Sequence, residues 1–104
     1  MEELVNKMKE VLASVFSLYL KAHNFHWNVE GKMFVTLHGF FGDLYKDLWE
    51  SVDHIAEEIR TLEAYAPGSL KRFSELTKIE DEENIPSELV MCSKLLKDNE
   101  KVIQ

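Results

Sequence analysis

His23-Asn24-Phe25-His26-Trp27-Asn28 closes the first amphipathic run of this chain and decides how the rest is read. Its two imidazoles stand three residues apart, about 60° round a helix of 3.6 residues per turn, so they share one side of it. A third imidazole, His38, follows a break at Asn28 to Gly31, and a carboxylate pair, Asp53 and Glu57, lies one helical turn apart further on. A lone histidine in a helix is more often structural than a ligand. Imidazoles and carboxylates gathered in one short chain, however, suit iron or zinc better than calcium or magnesium, which take oxygen donors.

Working back from that stretch, residues 2–28 predict one long helix. Leu4, Met8, Val11, Val15, Leu18, Ala22 and Phe25/His26 recur at steps of three and four, and Phe16, Tyr19 and Leu20 widen the stripe. Asn28 to Gly31 should end it, because Asn and Gly tolerate the left-handed conformation. Working forward, Phe34, Leu37, Phe41, Leu44, Leu48, Val52, Ile55, Ile59 and Leu62 predict a second helix from Phe34 to about Ala64. The turn between them is short, so the two helices should pack antiparallel, with His26 and His38 level near the turn end. Tyr45 and Trp49 form a second flank, about 80° from the core stripe, that should face another helix or another chain.

Ala66-Pro67-Gly68 signals a turn, Leu70, Phe73 and Leu76 a short crossing helix, and Glu80-Asp81-Glu82-Glu83 a solvated loop. Pro86 suits the first turn of a third long helix, with Leu89, Val90, Cys92, Leu95, Leu96, Val102 and Ile103 as its apolar positions. The expected fold is all-α: one antiparallel helical bundle over residues 1–104, with two long helices, a short crossing helix and the start of a third long one.

Composition bounds the function. With 104 residues, 45% apolar and 30% charged, the chain is one globular domain and not a disordered segment. A net charge of −7 without a basic stripe or arm argues against a duplex-binding surface, so direct DNA binding is expected to be weak or absent. The single cysteine, Cys92, rules out an intrachain disulfide and favours a reducing compartment. No leader pattern and no apolar run of membrane length is present, so no membrane partner and a cytoplasmic location are expected.

His38 and Asp53 are fifteen residues apart on one helix. That is about 22 Å along its axis, whereas metal–ligand bonds are only about 2.0–2.2 Å long. One chain cannot bring both to one ion. Two copies of the second helix, crossing antiparallel about a two-fold axis near Tyr45/Lys46, would bring His38 of one copy to Asp53 of the other and would bury the Trp49 flank.

His26-Trp27-Asn28-Val29-Glu30-Gly31, Leu37-His38, Val52-Asp53-His54-Ile55-Ala56-Glu57 and Tyr65-Ala66-Pro67-Gly68-Ser69-Leu70-Lys71 together resemble the Dps branch of the ferritin-like proteins. The resemblance spans residues 10–104. It implies a homo-oligomer, in the family a hollow twelve-subunit shell of four-helix bundles, that oxidises Fe(II), preferably with hydrogen peroxide, and stores the ferric iron inside. It also implies a diiron site built between two subunits. By that resemblance His26 ligates the first iron, Asp53 and Glu57 are carboxylates from the partner subunit with Glu57 bridging both ions, and His38 serves the second iron. His26, Asp53 and Glu57 would then carry the ferroxidase chemistry. Trp27 matches an aromatic beside the site, with packing as the plain alternative, and His23 and His54 match no ligand and are expected at the surface or in hydrogen bonds. The Glu-x-x-His motif of in-chain diiron ferritins is absent.

Two departures from the family pattern stand out. Gly42 occupies the position where the family carries a carboxylate one turn after the second histidine. The second iron position is therefore expected to be weak, and Gly42→Asp to strengthen it. The sequence also stops inside the third long helix, so the domain is expected to be C-terminally incomplete, without the fourth bundle helix and with apolar faces left open. Both departures keep two alternatives in view: an assembly or interaction protein without ferroxidase activity, and a single-metal module using His26, Asp53 and Glu57.

Overall fold

Helix α1 (Glu2–Asn28) is the element on which everything else packs, and α2 (Phe34–Thr61), α3 (Leu70–Leu76) and α4 (Glu88–Ile103) each lie against it. The computed structural model describes residues 1–103, with side chains through Val102, and these four helices are the regular structure among the described residues. The all-α bundle expected from periodicity is the fold found, with α1 and α2 antiparallel and joined by a short turn.

α1 buries Val5, Leu12, Ala13, Val15, Leu18, Ala22 and Phe25. This departs from the predicted stripe at its start: Leu4 is half exposed and Val5 takes the inward position. Leu18, Ala22, Phe25 and Val29 meet Leu37 and Phe41 of α2 and Met91 and Leu95 of α4 in one cluster, with Leu44, Leu48 and Cys92 partly buried at its edge. Full burial of side chains such as Phe25 and Phe41 contributes on the order of 2 kcal/mol each through the hydrophobic effect. In α4 the inward residues are Met91 and Leu95, whereas Leu89, Val90 and Leu96, expected among its apolar contacts, face outward.

The ends of the helices have local causes. Gly31 adopts φ +123°, and a β-carbon there would run 2.7 Å from Glu88 Oε2. The bare backbone lets Glu88 accept from Met33 N–H at 3.1 Å, satisfying an amide at the start of α2 and tying α4 to the α1–α2 turn. α2 stops at Thr61, short of the expected Ala64, because Glu63 turns into the left-handed region (φ 65°). Ser69 caps α3 by accepting from Arg72 N–H at 3.2 Å.

Polar ties hold the long loop between α3 and α4. Lys21 Nζ, nearly buried, donates to Asp98 Oδ2 at 2.7 Å and to the Glu80 carbonyl at 2.9 Å. Lys94 pairs with Glu82, and Asn24 Nδ2 reaches the Glu82 carbonyl at 3.4 Å. Glu80, Asp81 and Glu83 of the acidic run are exposed, as expected of a solvated loop, while two lysines and an asparagine pin its backbone and Glu82 to α1 and α4. Since α2 and α4 pack mainly on α1, an apolar groove stays open between them, floored by Leu18 and walled by Phe40, Leu44, Leu95 and Leu96.

Candidate metal centre

The imidazoles of His26 and His38 come together at the turn end of the α1–α2 hairpin, level with each other as the chain register requires. Their rings stack at 3.8 Å between centroids with 20° between planes. His26 Nδ1 lies 2.7 Å from the His38 carbonyl, and His38 Nδ1 lies 2.8 Å from the His26 carbonyl. A carbonyl oxygen only accepts, so each Nδ1 carries the proton. A neutral ring bonded in this way has its lone pair on Nε2, the atom left free to ligate. Such a hydrogen bond on the second nitrogen is how metal-binding histidines are usually oriented. Both rings are half-buried.

An aromatic wall surrounds the pair. Phe34 stacks on the His38 ring at 5.0 Å, and Tyr45 lies against His26 at 5.2 Å with the rings tilted by 59°. His23 is sandwiched between Tyr45 at 3.8 Å and Trp27 at 3.9 Å, and its Nδ1 is 3.1 Å from the Tyr19 hydroxyl. It is thus the hydrogen-bonding residue expected, with burial and then the neighbouring His26 holding it below the usual imidazole range. Trp27 is 59% exposed, so its contact with His23 is the packing that holds it. Phe34 was legible as an i, i+4 neighbour of His38; the His23 sandwich depends on Tyr45 of the other helix and was not.

Asp53 and Glu57 lie elsewhere, exposed on the outer side of α2. Asp53 edges a shallow hollow with Trp49, Val52, His54 and Ala56. Among the described residues no three His, Cys, Asp or Glu side chains converge on one point. His38 and Asp53, fifteen residues apart in α2, are separated by about 22 Å along its axis at 1.5 Å per residue.

Gly42 sits on the buried side of α2, directly against His26. A β-carbon at this position would stand 3.2 Å from both Cε1 and Nδ1 of the His26 ring. A side chain added here, aspartate included, would require the imidazole to give by a few tenths of an ångström.

The fold and these residues place the chain in a class: residues 5–104 match the family described as a ferritin-like domain, and the chain belongs to that family. Within it the relatives point to the Dps branch. The chain is 28% identical over 102 residues to "DNA protection during starvation protein 2" of Bacillus anthracis, covering 98% of this chain and 70% of that protein. It is 33% identical over 102 residues to an "Uncharacterized low temperature-induced protein" of Nostoc sp., covering 97% of this chain and 57% of the relative. The Dps protein of Vibrio cholerae, described as one of the ferritin-like diiron-carboxylate proteins, superposes with a TM-score of 0.94 at 26% identity, over 98% of this chain and 64% of that one. The chain thus spans little more than half the length of the Nostoc relative and about two thirds of the Vibrio protein.

Proposed function

We propose that this chain is a subunit of a Dps-type protein that oxidises Fe(II) and stores the ferric product, with its metal site shared between two copies. The observation that carries this reading is the His26–His38 pair, whose reciprocal hydrogen bonds leave both Nε2 lone pairs free at one level of the hairpin. Asp53 and Glu57 of a second copy complete the donor set in this reading. Two neutral imidazoles and two carboxylates carry two negative charges, a set suited to Fe(II) as substrate. Exposed Trp49, Tyr65 and Leu70, at 55%, 81% and 74%, supply the apolar surface such a contact would bury.

The chemistry asked of the site is a two-electron transfer. Two Fe(II) ions give one electron each to hydrogen peroxide, which takes up two protons and leaves as two waters, so no hydroxyl radical is released. The protein's residues hold the ions and fix their spacing. With a net charge of −7, protection of DNA follows in this reading from removal of iron and peroxide, not from binding the duplex. A cytoplasmic setting fits the single free cysteine, and among the described residues no helix is long and apolar enough to cross a membrane.

Anaerobic titration with Fe(II), counting ions bound per pair of chains, followed by peroxide addition, tests the proposal. The two site copies at a two-fold interface should take up iron, and one peroxide should be consumed per two Fe(II) without spin-trapped hydroxyl radical. Binding at His26, Asp53 and Glu57 without peroxide-dependent oxidation would favour the single-metal module. Absence of binding would leave an assembly protein on a ferritin-like fold.

A further inference from the structure

We infer that Gly42 is a positioning residue for His26: the space its missing side chain leaves is where the imidazole sits while it is bonded to His38. Three contacts define that space. The His26 ring has the His38 ring stacked on it at 3.8 Å, Tyr45 against it at 5.2 Å, and the His38 carbonyl 2.7 Å from Nδ1. On the α2 backbone beside it, a β-carbon at residue 42 would stand 3.2 Å from Nδ1 and Cε1, closer than such contacts ordinarily come. The ring would have to give by a few tenths of an ångström. The atom it would move is Nδ1, the one that holds the hydrogen bond.

Gly39, three residues earlier on the same helix, is the internal control: a β-carbon there would meet nothing within 4 Å. Both glycines are mid-helix, where alanine ordinarily favours the helix. Only at Gly42 does that preference oppose a neighbouring imidazole. The bare position thus leaves room for the first imidazole and supplies no carboxylate beside the second. The consequence for metal binding rests on the reading of His26 as an iron ligand; the orientation itself is a property of the metal-free protein.

The experiment compares the unaltered chain with Gly39→Ala, Gly42→Ala and Gly42→Asp. Long-range 1H–15N correlation spectra at about pH 8, above the ordinary imidazole range, report which ring nitrogen of His26 carries the proton. Co(II), followed by its visible absorption, serves as the metal probe. The unaltered chain and Gly39→Ala should show His26 protonated at Nδ1, with Gly39→Ala melting at a higher temperature. Gly42→Ala should shift His26 towards a mixture of tautomers and weaken Co(II) binding by about tenfold or more, the loss that removal of such an orienting bond usually brings. Gly42→Asp should show the same tautomer shift. Gly42→Ala with an unchanged His26 spectrum overturns the inference, whatever its effect on melting. A tautomer shift in a protein that binds neither Co(II) nor Fe(II) supports the positioning role and overturns the iron-site reading instead.

Discussion

His26 and His38 each donate from Nδ1 to the backbone carbonyl of the other, at 2.7 and 2.8 Å, so one residue pair fixes both the register of the hairpin and the tautomer of both rings. Replacing either by alanine removes one hydrogen bond, worth about 0.5–1.5 kcal/mol, and the ring stack they share, worth about 0.5–1.5 kcal/mol beyond area. Each single variant should therefore lose about 1–3 kcal/mol by these magnitudes, and the double variant less than their sum. Urea denaturation of the four proteins measures the coupling. Strict additivity would mean that the rings do not support each other.

The Lys21–Asp98 pair is the most buried ionic contact among the described residues, with side-chain exposures of 7% and 8%. Asp98→Ala leaves the ammonium buried with only the Glu80 carbonyl as acceptor. The expected loss is about 3 kcal/mol or more, the usual effect of leaving one buried charge unpaired. Lys21→Met combined with Asp98→Leu should recover most of it. Equal losses in the single and double variants, measured by denaturant unfolding, would show that the pair itself stabilises the fold.

Glu82 gives stability a pH dependence. The hydrogen bond from Lys94 holds its carboxyl below the ordinary value of 4.5, against desolvation acting in the other direction. The folded protein thus binds this proton less readily than the unfolded chain. The contribution is present above pH 4.5 and is lost as pH falls through the lowered value. Glu82→Gln should be less stable than the unaltered protein at neutral pH, and the gap should close in acid. A gap that stays constant across the acid range would assign Glu82 no linked role.

The helical period made the architecture readable, since α1 and α2 each repeat apolar residues over many turns and a short turn leaves only the antiparallel pairing. It also placed His26 level with His38. What periodicity could not fix is which of two adjacent stripes points inward. Val5 displaces Leu4, and Met91 is buried where Leu89, Val90 and Leu96 are not, because the partner helix makes that choice. Gly42 shows the same limit at the site. In sequence it stands as a missing ligand; its role as the space for His26 exists only once α1 lies beside α2. Glu82 and Lys94 are twelve residues apart, and their pairing depends on the loop folding back to α4.

The groove between α2 and α4 leaves Phe40 and Leu96 55% and 61% exposed. The 104-residue chain studied alone should therefore bind a hydrophobic dye and self-associate as concentration rises. Phe40→Lys with Leu96→Lys should suppress both while changing stability by only about 0.5 kcal/mol per site, as surface substitutions do. A monodisperse monomer in sedimentation that binds no dye would show that the groove closes without help.

The claim that the metal site is divided between two chains has a direct test in mixing. One variant carries His26→Ala and His38→Ala, the other Asp53→Ala and Glu57→Ala; in the proposed site each lacks one half of every donor set. Unfolding and refolding them together forms hybrids in which one of the two site copies pairs the intact imidazoles of one chain with the intact carboxylates of the other. Anaerobic Fe(II) binding should be near zero in either variant alone and should reappear in the mixture, at about half of one site per chain in a hybrid two-fold pair. Hybrids confirmed by mass spectrometry that bind no more Fe(II) than the separate variants would contradict the shared site.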